Sequence, residues 1–284
     1  MQIADALLST KIEALDSALE TPIRILHAGA LEIQGQDPIY ADLARYGVCE
    51  VVGVDPCEDD ERRGESIRTG RFTQYSDATL GDGRERIFHV CRLKSRSSLY
   101  EPNHVLAALF SEFDEGSEVM ERRLVRTVRL DDLVSEEFDL VVLDLQGGEL
   151  LAIDGGRATI GNALIVHTEV EVVEQYVGQP LWGDVDRALQ GLGFVLHTVY
   201  SYGSRPMYPF SGNDARLTGL KQWLWADVVY VRDLLTIDGL SRSRLVKLGV
   251  LLHSLYQSYD LVHHILAAAD PRLAAEYLAA LGTS

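Results

Sequence analysis

Ile23-Arg24-Ile25-Leu26-His27-Ala28-Gly29-Ala30 is a short apolar run that ends in a turn of small residues, and runs of the same kind recur along the chain. They are Val51-Val52-Gly53-Val54, Leu140-Val141-Val142-Leu143, Leu164-Ile165-Val166, Phe194-Val195-Leu196 and Val228-Val229-Tyr230-Val231. Continuous apolar runs of this length suit parallel strands buried on both faces. Between them, residues 37–46 and 181–192 carry apolar side chains three and four apart, the spacing of a helix face. The alternation predicts a doubly wound α/β sheet. Residues 71–129 are less regular: Gly81-Asp82-Gly83 reads as a turn and 87–91 as a short strand, as in a hairpin inserted in the sheet order.

Beyond Asp233 the strand signal stops. Leu245, Leu248, Leu252, Leu255, Tyr259, Val262 and Leu266 follow at three- and four-residue steps, which predicts one apolar helical stripe. Asp270-Pro271 reads as a cap and first residue of a second helix. Three segments are expected: an N-terminal helix over 1–22, a catalytic domain over 23–235 and a C-terminal helical appendage over 236–284. The stripe must be buried either on its own domain or against a second copy, and a homodimer is one expectation.

Composition narrows the class. The 284 residues include 43 acidic and 26 basic side chains, a net charge of −17, with 46% hydrophobic residues. That content supports a packed core. The negative surface excludes a nucleic-acid partner, since polyanions are bound through Lys/Arg clusters. Small molecules or neutral polymers are the expected ligands. Cys49, Cys57 and Cys91 form no CxxC pair, so neither structural zinc nor any other metal is expected, and a reducing, cytoplasmic setting fits. Asp5, Glu13 and Asp16 interrupt what a signal peptide would need. No stretch has the roughly 18 apolar residues of a membrane span.

In an open parallel sheet, ligands bind beyond the carboxyl ends of the strands. Gly29 and Ala30, after the first run, allow close backbone approach to a ligand, although a plain strand-to-helix turn is the alternative. Asp55 ends the second run, 26 residues after Gly29, where a carboxylate can accept from ribose hydroxyls or cap a helix. Asp144-Leu145-Gln146-Gly147-Gly148-Glu149 follows a further run, leaving room for a ligand beside polar groups, with Asp144 or Gln146 as a plain helix cap the alternative. In His167-Thr168-Glu169-Val170-Glu171, alternation sends His167, Glu169 and Glu171 to one side. A histidine among carboxylates can serve as a general base, or can be held by structural hydrogen bonds.

Other chemistries lack their residues. No tyrosine is followed four residues on by lysine, as a short-chain dehydrogenase requires, and neither a GxxxxGK[ST] loop nor a GxSxG elbow occurs. Arg84, Arg86, Arg92, Lys94 and Arg96 form a basic island, read either as a solvated hairpin edge or as a dock for a phosphate or carboxylate.

A longer succession is specific. Gly81-Asp82-Gly83, Phe88-His89-Val90-Cys91, Ser97-Ser98-Leu99-Tyr100-Glu101-Pro102-Asn103, Thr127-Val128-Arg129-Leu130-Asp131-Asp132, the Asp144–Glu149 and His167–Glu171 stretches, Gln179-Pro180-Leu181 and Trp225-Ala226-Asp227 stand in this order. Together they resemble an FkbM-type S-adenosylmethionine-dependent methyltransferase over roughly residues 23–233. The resemblance implies a class I methyltransferase (Rossmann-like) sheet of seven strands, the last antiparallel, with S-adenosyl-L-methionine as cofactor. It implies O-methylation of an acceptor such as a sugar or glycan hydroxyl. By position His27, Gly29 and Ala30 match the cofactor turn, Asp55 the ribose acid, Asp77 the acid near adenine, and Ser97 and Ser98 the paired serines beside the cofactor. Asp144, Gln146 and Glu149 match the motif facing the reacting methyl, with Gln146 and Glu149 toward the acceptor and Glu169 beyond the next strand.

The chain departs from the family pattern at His27, where an acid is usual, at Val142 in place of a lysine, and at Gly147-Gly148 in place of Gly-Ala. A non-catalytic cofactor-binding or scaffold protein on the same fold is therefore the alternative function. Because methyl transfer needs an oriented hydroxyl and a proton acceptor, Asp144, His167 and Glu169 are the expected catalytic residues.

Overall fold

The computed structural model describes residues 19, 21–29, 37–56, 71–75, 78–111, 113–210 and 222–282. Almost all of the expected N-terminal helix, together with Ala30 and Asp77, lies outside the described residues.

The strands are β1 (Ile23–Ala28), β2 (Cys49–Val54), β3 (Arg71–Tyr75), β4 (Glu85–Cys91), β5 (Val119–Arg126), β6 (Leu140–Leu143), β7 (Ile165–Glu171), β8 (Phe194–Gly203) and β9 (Trp225–Arg232). The helices are α1 (Ala41–Arg45), α2 (His104–Ala107), α3 (Leu130–Leu133), α4 (Glu149–Gly155), α5 (Arg157–Asn162), α6 (Trp182–Gln190), α7 (Arg242–Tyr256), α8 (Tyr259–Ala269) and α9 (Pro271–Leu281). Seven strands form one sheet in the order β3-β2-β1-β6-β7-β9-β8. The pairs from β3 to β7 are parallel, and β9 runs antiparallel to both β7 and β8. The order reverses between β1 and β6, which opens a crevice at their carboxyl ends.

Strand alternation divides the core into two layers. On one face Ile25, Leu140, Val142, Ile165 and Val229 pack with Leu248, Leu252, Val262 and Leu266 of α7 and α8. On the other, Leu26, Val141, Leu143, Val166 and Tyr230 pack with Leu130, Ile153, Val185 and Leu189 of α3, α4 and α6. All four residues of β6 are buried, as expected for a central strand covered on both faces.

The C-terminal helices close the first face. Lys247 anchors them through Nζ at 2.8 Å from Asp139 Oδ2, an oxygen that also accepts the Arg24 backbone N–H at 2.9 Å. The apolar stripe does not run along one helix: Gln257 turns left-handed at φ 53°, ending α7. Its positions divide between α7 and α8 and pack against the sheet, so the dimer seam expected from the stripe is occupied by the chain's own core. Asp270 caps α9 by accepting from the Arg272 N–H at 2.9 Å, with Pro271 first in the helix.

The expected hairpin is also rearranged. β4 pairs antiparallel with β5 in a separate two-stranded ribbon outside the sheet order, and Gly81-Asp82-Gly83 precedes β4 instead of joining two paired strands. Among the described residues no helix is long and apolar enough to cross a membrane.

Candidate functional site

A cleft opens at the carboxyl ends of β1, β2 and β6. It encloses about 730 Å³, its open mouth included, and Gly29, Asp55, Ser97, Asp144 and Gln146 line it together.

Three strand ends are laced together at its floor. Gly29 N–H donates to the Val54 carbonyl at 2.9 Å, and Asp144 N–H donates to the Ala28 carbonyl at 3.0 Å. Gly29 has φ +82°, and a β-carbon built there would lie 1.8 Å from the Asp144 carbonyl oxygen. Only glycine fits both the backbone and the space. Asp55 follows β2, its N–H donating to the Tyr75 carbonyl at 3.1 Å, and it is 6% exposed.

Gln146 organises the other end. Its backbone is left-handed at φ 52°. Its Nε2 donates to Asp144 Oδ1 at 2.8 Å and to Glu169 Oε1 at 2.9 Å, while its Oε1 accepts from the Tyr176 hydroxyl at 2.8 Å. Both amide hydrogens are thus committed, and they hold two carboxylates in one arrangement. Ser98 Oγ braces the same turn by donating to the Gln146 carbonyl at 2.7 Å. Ser97 Oγ accepts from the Cys91 N–H at 3.1 Å beside the cleft.

The carboxylates here are crowded and dry, so they hold protons more tightly than usual. Burial pushes Asp144 up to about 6, with Asp227 and Asp55 adding repulsion. Glu169 is raised well above the usual range, first by burial and then by Asp144 and Glu171. Glu171 is raised by burial, and its Oε1 has no hydrogen-bond partner among the described residues. Asp227, in register with Glu169 on β9 and bonded by Ser201 Oγ, is also raised by burial. Glu149 does not line the cleft. Its Oε1 turns back to accept the Leu145 N–H at 2.6 Å, and burial pushes it to about 8.

The two histidines are set apart from the cleft. His27, Val142 and His167 share one row across β1, β6 and β7, on the face covered by the C-terminal helices. His27 Nδ1 is 2.9 Å from the Tyr40 hydroxyl and His167 Nδ1 is 3.2 Å from that of Tyr256. Burial lowers each ring to about 4, and for His27 the ring of His167 adds to the effect. His167, expected as a base, is thus not among the residues that line the cleft. Alternation puts it on the same face as Glu169, but one pleat repeat lower, roughly 6.6 Å down the strand. His27, expected at the cofactor turn, packs edge-on against Tyr40 and is likewise not among the cleft-lining residues.

Tyr176 was not among the expected site residues. It lies in the loop between β7 and α6, where no periodicity points to it; only the Gln146 contact identifies it. Asp227 could have been found from the Trp225-Ala226-Asp227 stretch, since it opens the strand that pairs with β7. The basic island mostly neutralises acids: Arg84 and Arg86 pair with Asp82, and Arg92 with Glu118. Lys94 lines the cleft.

No curated protein matches the chain. Among solved structures, magnesium protoporphyrin IX methyltransferase from Synechocystis PCC 6803 with bound SAH is similar at 12% identity, over 81% of this chain and 82% of that one, with a TM-score of 0.37. A 16S rRNA (adenine(1408)-N(1))-methyltransferase variant from Catenulisporales acidiphilia with cosubstrate SAM is similar at 12% identity, over 78% and 90%, with a TM-score of 0.33. The assignment rests on the family match instead: the methyltransferase FkbM domain covers residues 29–196, more than half of the chain, with Gly29, Asp55, Asp144 and Gln146 inside the matched range. The chain therefore belongs to the FkbM methyltransferase domain family and is an S-adenosylmethionine-dependent methyltransferase.

Proposed function

We propose that the chain methylates an oxygen acceptor, a sugar or glycan hydroxyl, with Asp144 as the proton acceptor. One observation carries the reading: Asp144 lines the same cleft as Gly29 and Asp55 and is tied through Gln146 to the buried Glu169.

The cleft fits the cofactor. At Gly29 the backbone comes as close to the β6 turn as a missing side chain permits, leaving the floor open to an adenosyl group. Asp55 supplies the carboxylate for the ribose hydroxyls. When bound, S-adenosylmethionine supplies an electrophilic methyl on a sulfonium. What remains for the protein is to hold an acceptor oxygen in line and take its proton.

Asp144 suits that task. Its Oδ1 is occupied by Gln146 Nε2, which fixes the carboxylate plane and leaves Oδ2 to receive the proton. With burial setting its pKa at about 6, it is mostly ionised at neutral pH yet more basic than an exposed aspartate. Burial makes Glu169 and Glu171 hold their protons more tightly than exposed carboxylates do, which lessens the repulsion they exert on Asp144. In this reading Gln146 and Tyr176 are positioning residues. The test is turnover: methyl-labelled S-adenosylmethionine offered with a panel of sugars should label a hydroxyl oxygen, and labelling of nitrogen instead would reject the acceptor class.

A further inference from the structure

Two guanidinium groups stand near the carboxylate end of the site and form no ion pair among the described residues. Arg96 lies 4.2 Å over the Phe113 ring, and its Nη1 donates only to the Phe113 carbonyl at 3.3 Å and to Ser117 Oγ at 3.1 Å. Arg205 lies 5.0 Å over the Trp225 ring, and its Nη1 donates to the Ser204 carbonyl at 3.0 Å. Phe113 and Trp225 belong to one small apolar cluster, which brings the two cations to the same wall. Among the described residues neither cation forms an ion pair. Acids are not scarce, with 43 against 26 basic residues, and Arg84, Arg86 and Arg92 all have theirs.

The wall adjoins the proposed acceptor position. The Arg96 carbonyl is 3.3 Å from the Tyr176 hydroxyl, which itself donates to Gln146. Trp225 opens the strand that carries Asp227. Burial lowers the proton affinity of Arg96 most; Tyr176 and Glu169 raise it, while the charge of Arg205 lowers it, so the two cations repel. Beside Arg205, the buried Ser204 Oγ has no hydrogen-bond partner among the described residues. Guanidinium planes stacked on rings are pre-oriented, with donors left over for a carboxylate or phosphate that would relieve the repulsion.

We propose that Arg96 and Arg205 hold an oxyanion, carboxylate or phosphate, carried by the methyl acceptor. The acceptor is then an acidic sugar, a uronate or a phosphosugar, and not a neutral one. This rests on the oxygen-acceptor reading above.

The test is calorimetric titration of the full chain, with and without saturating S-adenosylhomocysteine, using methyl glucuronide, glucose 6-phosphate and methyl glucoside. At least one anionic probe should bind tenfold or more tightly than the neutral glucoside, and whichever anion wins identifies the oxyanion. Arg205→Gln should abolish that advantage while leaving the S-adenosylhomocysteine affinity as in the parent. Equal binding of the three probes, no binding of either anion, or an unchanged preference in Arg205→Gln would each overturn the proposal. Arg96→Gln should act likewise. It also removes the bonds to Phe113 and Ser117, so its folding is checked by circular dichroism, and the Arg205 variant keeps the test decisive if it unfolds. Failure to bind S-adenosylhomocysteine at all would count against the cofactor cleft, separately from the anion site.

Discussion

A β-carbon on Gly29 would sit 1.8 Å from the carbonyl oxygen of Asp144, so the turn after β1 and the turn after β6 are in direct backbone contact. The floor of the cleft and the Asp144 turn are therefore positioned by one another. Gly29→Ala should cost roughly 1–3 kcal/mol from the left-handed backbone alone, with the clash added. Urea denaturation should show the loss and S-adenosylhomocysteine should bind more weakly. A variant as stable as the parent would contradict the close approach.

Asp144→Asn should lower turnover by ~10²–10⁴-fold while changing cofactor affinity little, because the proton is taken only in the transition state. In the parent, the rate should rise as pH increases through about 6, where Asp144 ionises, and the variant should lack that limb. His167→Gln should keep turnover within a few-fold. A collapse of the rate in the histidine variant, with a normal rate in Asp144→Asn, would transfer the base role back to His167.

The expectations at the strand ends show what a sequence can and cannot reveal. Gly29, Asp55, Asp144 and Gln146 were legible because each follows an apolar run, and in a parallel sheet all such ends meet at one edge. For His167 the alternation specifies a face and says nothing of height along the strand, so its distance from the cleft was not legible. β3 escaped notice because Arg71-Phe72-Thr73-Gln74-Tyr75 is an edge strand, paired only with β2, and carries no continuous apolar run. The break at Gln257 escaped because Leu255 and Tyr259 keep the four-residue step across it, with no glycine or proline to mark the turn. Arg205 lies in a loop, and only its stacking on Trp225 singles it out.

Glu149 should make the fold less stable as pH rises. Its carboxyl is pushed from an ordinary 4.5 to about 8, so the folded state binds a proton that the unfolded chain gives up. The stabilisation is fully present below 4.5 and is lost progressively until pH reaches about 8, at no more than about 1.4 kcal/mol per pH unit for this group. Glu149→Gln should flatten that slope in thermal melts between pH 5 and 8. An identical slope in parent and variant would show that Glu149 ionises normally.

Lys247 and Asp139 join α7 to the base of the sheet with both side chains 10% exposed. Asp139→Ala should destabilise the fold by ~3–5 kcal/mol, since it strands a buried ammonium and removes the acceptor of the Arg24 N–H. Lys247→Met together with Asp139→Asn should recover most of the loss. A double variant no better than Asp139→Ala would mean that the pair's desolvation is not what governs this contact.

The cleft of Gly29, Asp55 and Asp144 is proposed to hold S-adenosylmethionine. Calorimetric titration of the parent and of Asp55→Ala with S-adenosylhomocysteine tests it most directly. The account predicts one site per chain in the parent and a loss of a few kcal/mol in the variant, at ~1.5–3 kcal/mol for each charge-assisted hydrogen bond removed. Equal affinity in the two proteins, or no binding to the parent, would contradict it.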